Sequence, residues 1–199
     1  MAGWVTHEGQ AFGLPLENVD TDQLIPARFM STPRSAGYAG YLLHDMRRRA
    51  DGTLDPDFGL NSLPDASVMI AQRNFGSGSS REAAVYALVD AGFRVVLAPS
   101  FGHIFASNAV GNGLLPACIS PDAAKNLLAR TPLHLKVDLD QQRVVFDGGA
   151  IPFEIDPVWR LKLMNGWDDI DLTRAHLGDI SAHAAAWQDR MPWSVPPSL

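Results

Sequence analysis

The strongest constraint on this chain is a run of alternating elements between Ser67 and Pro116. Ser67-Val-Met-Ile-Ala71 is a short apolar run bounded by turn residues, which predicts a buried strand. Asn74-Phe-Gly-Ser-Gly-Ser-Ser-Arg-Glu82 follows, and the alanine-rich stretch from Glu82 to Leu88 reads as a helix. Phe93–Ala98 predicts a second buried strand, Ile104–Val110 a second helix capped by Ser100, and Leu114–Ile119 a third strand. This order of strands and helices predicts an α/β fold whose sheet contains parallel pairs.

Gly-Ser-Gly-Ser-Ser has the composition of a flexible linker. A linker separates domains, whereas this segment joins a strand to a helix within one unit. Such a junction leaves backbone N–H groups unpaired at the positive end of a helix dipole, and together these attract anions. Gly76 and Gly78 let the backbone bend and approach a ligand. Ser79 and Ser80 add hydroxyls, and Arg81 adds a planar fork of donors that suits a carboxylate. A phosphate loop needs Gly-Lys-Ser/Thr, and none is here. A dinucleotide fingerprint needs a third glycine, and Arg81 stands in its place. A nucleophile elbow also has no match in the loop. What remains is a small concave site for a carboxylate ligand.

Composition narrows the rest. Of 199 residues, 46% are hydrophobic, enough for a sizeable core. A net charge of −6 with only 16 Lys and Arg argues against a nucleic-acid partner. No run of about twenty apolar residues predicts a membrane span. The start, Met-Ala-Gly-Trp-Val-Thr-His-Glu, lacks the features of a secretory signal. Cys118 is the only cysteine, so no internal disulfide forms, which fits a reducing cytoplasm. One thiol also excludes a cysteine-rich metal site built from this chain alone.

The flanking segments carry further expectations. Trp4–Leu16 reads as one or two short strands. Asn18–Asp22 reads as a turn that anchors the next segment; it lacks the glycine and closing Glu of a calcium loop. Ser31–Gly40, with Arg34 at its middle, reads as a mobile surface loop. Tyr41–Arg49 reads as a helix whose three final arginines face solvent. Ser120-Pro121 starts a helix that runs to about Arg130. Leu133–Asp138, Arg143–Phe146 and Ala150–Ile155 predict short antiparallel strands. Asp156-Pro157 begins a helix that Gly166 ends, Asp168–Arg190 is mostly helical, and the tail Pro192–Leu199 is extended. One domain spans 1–199, with a core over about 5–170 and a helical C-terminal extension over about 157–199.

Four motifs in order carry a resemblance: Asn18-Val-Asp-Thr-Asp-Gln-Leu-Ile-Pro26, Asn74-Phe-Gly-x-Gly-Ser-Ser-Arg-Glu82, Ser100-Phe-Gly-x-Ile-Phe105 and Asn112-Gly-Leu-Leu-Pro116. Together they resemble the small subunits of 3-isopropylmalate dehydratase, counterparts of the swivelling C-terminal domain of aconitase. The resemblance implies a compact β/β/α swivelling domain with a mixed sheet flanked by helices. It implies a hydro-lyase of leucine biosynthesis that isomerises a 2-hydroxy diacid by removing and re-adding water. It also implies a separate large subunit that carries a four-iron four-sulfur cluster, whose open iron acts on the leaving hydroxyl. No cofactor is then bound by this chain, which alone is inactive.

By the same resemblance Ser79 is the catalytic base, while Gly78, Ser80 and Arg81 hold a substrate carboxylate. Arg28 and Arg34 belong to a segment that helps choose the substrate side chain. Some positions depart from the family pattern: Ser77 replaces a frequent Cys, Ala83 a common His and His103 a usual Asp. Gly13 falls where aconitase has a substrate-binding arginine. These departures leave open a related substrate such as a methylmalate. A non-catalytic anion-binding module is a further alternative.

Overall fold

A computed structural model describes residues 2–194. The chain divides at Gly166 into two compact units. The first holds a seven-stranded sheet in the order β4-β3-β2-β1-β5-β6-β7. Its strands are β1 (Thr6–Leu14), β2 (Ala66–Ala71), β3 (Val95–Ala98), β4 (Leu115–Cys118), β5 (Leu133–Asp138), β6 (Arg143–Phe146) and β7 (Gly149–Pro152). β1 runs parallel to β2, and β2, β3 and β4 run parallel to one another. On its other side β1 pairs antiparallel with β5, which leads into the antiparallel β6 and β7. Within Trp4–Leu16 a single strand thus forms, and the parallel pairs fall where the alternation placed them.

The helices of this unit are α1 (Thr21–Leu24), α2 (Glu82–Asp90), α3 (His103–Gly111), α4 (Pro121–Leu128) and α5 (Pro157–Asn165). α4 begins at a capping Ser120 that accepts from Ala123 N–H, with proline at the first helical position. Asp156 caps α5 in the same way, and Gly166 ends it in the left-handed conformation at φ 70°.

Both faces of the parallel strands are buried, which explains their unbroken apolar runs. Met69, Ala71, Val96 and Ala98 face one cluster with Phe75, Leu88 and Phe105. Val68, Ile70, Val95 and Leu97 face a second cluster, which also takes Leu135, Val137 and Val144 from the antiparallel strands. The sheet curls around this second cluster. Its two ends meet where Cys118 N–H donates to Glu154 O at 2.9 Å and Glu154 N–H to Cys118 O at 2.7 Å.

Three expectations are corrected. Tyr41–Arg49 is not a helix but a short 3-10 turn, Ala39–Tyr41, followed by turns. Leu43 takes φ 49° and donates its N–H to Leu24 O at 2.9 Å, so burial of Leu42 and Leu43 overrides helix propensity. The arginines of this run are separate anchors: Arg47 Nε donates to Asn61 Oδ1 at 2.8 Å, Arg48 Nη1 to Gly52 O at 2.8 Å, and Arg49 pairs with Asp55. Second, Ser31–Gly40 is tied down rather than loose. Tyr38 is buried and its hydroxyl donates to Thr32 O at 2.7 Å. Third, Ser100 does not cap α3; Gly102 stands at the cap position without a side-chain bond.

The second unit, residues 167–199, contains α6 (Asp169–Arg174) and α7 (Leu177–Arg190). A capping box at Asp168 starts α6, and Pro192–Ser194 forms one 3-10 turn. The rest of the tail expected to be extended lies outside the described residues. Among the described residues no helix is long and apolar enough to cross a membrane.

Candidate active site

Because β1, β2 and β3 are parallel, the segments that follow them leave the same end of the sheet. Backbone hydrogen bonds then join the three segments. Asn18 N–H donates to Arg73 O at 2.9 Å, and Gly76 N–H to Val19 O at 2.7 Å. Thr21 N–H donates to Ser77 O at 3.0 Å, and Thr21 Oγ1 to Ser79 O at 3.3 Å. From the other side Phe75 N–H donates to Ser100 O at 3.0 Å and Gly102 N–H to Phe75 O at 2.8 Å. Ser100 Oγ accepts from Asn74 N–H at 2.8 Å, so this serine holds the glycine loop instead of capping a helix.

The glycines are required by space as well as conformation. Gly76 lies at φ 71°, and a Cβ there would strike the Phe105 ring. Gly102 backs onto the same turn, where a Cβ would come within 2.5 Å of Gly76 O. Gly78, at φ 94°, also takes a conformation that favours glycine. The loop is therefore pinned along its inner side while Gly78, Ser79 and Ser80 are exposed.

Arg81 stands at the cap position of α2 and makes no cap bond with its side chain. The helix start is therefore not occupied by a side chain, as an anion site at a dipole's positive end requires. Glu82 adds a carboxylate in the first turn, but its Oε1 is turned aside to accept from Asn112 Nδ2 at 3.0 Å. The Arg81 side chain is 19% exposed and its Nη1 donates to Asp22 Oδ1.

The structure thus brings Gly78, Ser79, Ser80 and Arg81 together. Arg28 and Arg34 are each held in an ion pair of their own. Arg28 Nη1 donates to Asp45 Oδ2 at 2.9 Å, and hydrogen bonds from Arg28 and His44 lower the Asp45 carboxyl to about 2. Arg34 grips both Asp90 oxygens at 2.5 and 2.7 Å and stacks over the Tyr86 ring at 4.4 Å. Asp90 ends α2 and Arg81 precedes it, so the two arginines mark opposite ends of a helix about 14 Å long.

Thr21 and Asp22 are the site residues that sequence reasoning missed. The available signal was the Asp20–Gln23 spacing of a capping box, whose reciprocal bonds start α1. Of the departures, Ala83 is buried against the core and His103 is exposed, its ring 6.2 Å from that of Trp159. At Gly13 a Cβ would come within 2.5 Å of Thr131 Oγ1, so β1 has no room there for an arginine. Among the described residues no three His, Cys, Asp or Glu side chains converge as metal ligands do. Cys118 is half-buried, and burial, with Glu154 beside it, raises its thiol pKa. This donor set does not fit an iron–sulfur cluster, which takes several thiolates.

Residues 1–122 match the family described as the aconitase C-terminal domain, the class that this curled sheet and its pinned glycine loop define. The chain is 42% identical over 196 residues to a 3-isopropylmalate dehydratase small subunit of Geobacillus kaustophilus, covering 96% of this chain and 98% of that relative. It is 41% identical over 194 residues to the Rhodospirillum centenum protein of the same name, covering 94% and 96%. A crystal structure of 3-isopropylmalate dehydratase from Methanocaldococcus jannaschii superposes with a TM-score of 0.68 at 28% identity, over 89% of this chain and 99% of that one. The chain belongs to the 3-isopropylmalate dehydratase small-subunit family of the aconitase superfamily.

Proposed function

We propose that this chain is the proton-transferring half of a hydro-lyase that converts 2-isopropylmalate to 3-isopropylmalate in leucine biosynthesis. Dehydration to 2-isopropylmaleate is followed by rehydration in the opposite sense. The observation that carries the reading is the exposed Gly78-Ser79-Ser80 tip beside Arg81 at an uncapped helix start, on a chain 42% identical to small subunits of this name. The substrate carboxylate lies against Arg81 and the first-turn N–H groups, with Ser80 as a further donor. Ser79, as its alkoxide, takes the carbon-bound proton while the hydroxyl departs from the neighbouring carbon. It returns a proton to carbon during rehydration. A free alcohol is a weak base, so the same N–H groups and Arg81 must stabilise its ionised form.

Water must be excluded for that stabilisation to be large. The tip is open on this chain, so the large subunit supplies the opposite wall. The iron–sulfur cluster also belongs to that partner, since Cys118 alone cannot hold one. When bound, the cluster supplies Lewis-acid chemistry at the substrate hydroxyl. Arg28 and Arg34 reach a substrate side chain only after leaving Asp45 and Asp90. The assembly works in the reducing cytoplasm, where a cluster and a free thiol both survive.

Purification with the large subunit, followed by assay of a panel of 2-hydroxy diacids, tests the reading. Isopropylmalate should be the best substrate, and Ser79→Ala should lower kcat by about 10³-fold with assembly intact. Preference for a methylmalate would transfer the chain to a related reaction. Unchanged turnover in Ser79→Ala would remove the base assignment.

A further inference from the structure

Arg81 is the one flexible cationic side chain at the glycine loop, and something must hold it. Val19–Thr21 already fixes the loop backbone through the carbonyls of Ser77 and Ser79. Asp22, the next residue, lies in α1 with its side chain 54% exposed. Among the described residues the one hydrogen bond from the Arg81 side chain runs from Nη1 to Asp22. The Nε–Nη2 edge is left over. A guanidinium offers its donors as parallel pairs, so this second edge takes a carboxylate in a bidentate grip.

We infer that Asp22 is a positioning residue for substrate binding: it anchors one end of the Arg81 guanidinium so that the other edge faces the substrate carboxylate. The inference deepens the proposed function and rests on it. Two features of the local structure support a positioning role. Asp20, not Asp22, makes the capping box, so Asp22 is not needed to start α1. Thr21, not Asp22, binds the loop carbonyls. Asp22 therefore contributes chiefly through Arg81. Without it the guanidinium samples other rotamers, and each binding event must order it again.

The test uses the complex with the large subunit. Asp22→Asn should raise KM for the diacid about tenfold while kcat stays within about twofold, as expected for lost ground-state and transition-state binding alike. Asp22→Glu should recover most of the affinity. In an Arg81→Ala background, Asp22→Asn should add nothing further, since its route of action is gone. Thermal melting of each variant separates this pattern from simple destabilisation, which Asp22→Glu would not rescue and which would persist without Arg81. A KM for Asp22→Asn equal to wild type, in a complex where Ser79→Ala lowers kcat as expected, overturns the role of Asp22 and leaves the proposed function standing. Failure of Ser79→Ala itself to reduce turnover overturns the proposed function instead.

Discussion

The two sides of β1 obey different geometries. On one side β2, β3 and β4 run parallel, so the segments after β1, β2 and β3 collect at one end and can be laced into a site. On the other, β5, β6 and β7 are antiparallel hairpins whose turns alternate between ends. Both sides contribute to the same cluster inside the curl. Among the described residues, only the parallel side presents exposed hydroxyls and a guanidinium at a helix start. Direction of strand pairing, rather than quality of packing, decides where chemistry can gather.

The contrast is sharpest in two substitutions with similar stability cost. Gly76→Ala has the largest expected effect. It forces a Cβ into Phe105 at a positive φ, and should cost about 3 kcal/mol and greatly reduce turnover of the folded complex. Leu135→Ala, in the antiparallel half, empties a fully buried position. It should also cost about 3 kcal/mol yet leave kcat of the folded fraction unchanged. Chemical denaturation and assay of both would break the comparison if Leu135→Ala lost turnover in step with Gly76→Ala.

Smaller effects refine it. Ser100→Ala removes the acceptor that holds Asn74 N–H and should cost about 1 kcal/mol, with KM rising as the loop loosens. His7 offers a pH test remote from the loop. Burial, then Arg94, lowers its pKa below 6.5. The unfolded chain therefore binds this proton more readily, so stability falls as pH drops through about 6.5 and levels off below the folded value. His7→Gln should flatten the melting temperature between about pH 7.5 and 5.5 without affecting turnover.

Legibility in the sequence followed the same division between local and distant causes. β2 and α2 were readable because an apolar run and alanines report their own backbone state. α4 and α5 were readable from a capping side chain followed by proline. Tyr41–Arg49 misled because its outcome is set by Leu24, which accepts from Leu43 N–H across the fold. Ser100 misled for a related reason: its hydroxyl had two possible uses, and the distant one, at Asn74, prevailed. In the site, the composition of Ser79-Ser80-Arg81 is what suggests anion chemistry. The link from Arg81 to Asp22 joins residues 59 positions apart, and periodicity carries no trace of it.

The Cys118–Glu154 bridge has an implication for how this chain meets other molecules. Where the outermost strands exchange backbone groups, a stray β-strand finds those docking points taken, so that route to aggregation is blocked there. At that seam, contact with another molecule is left to side chains.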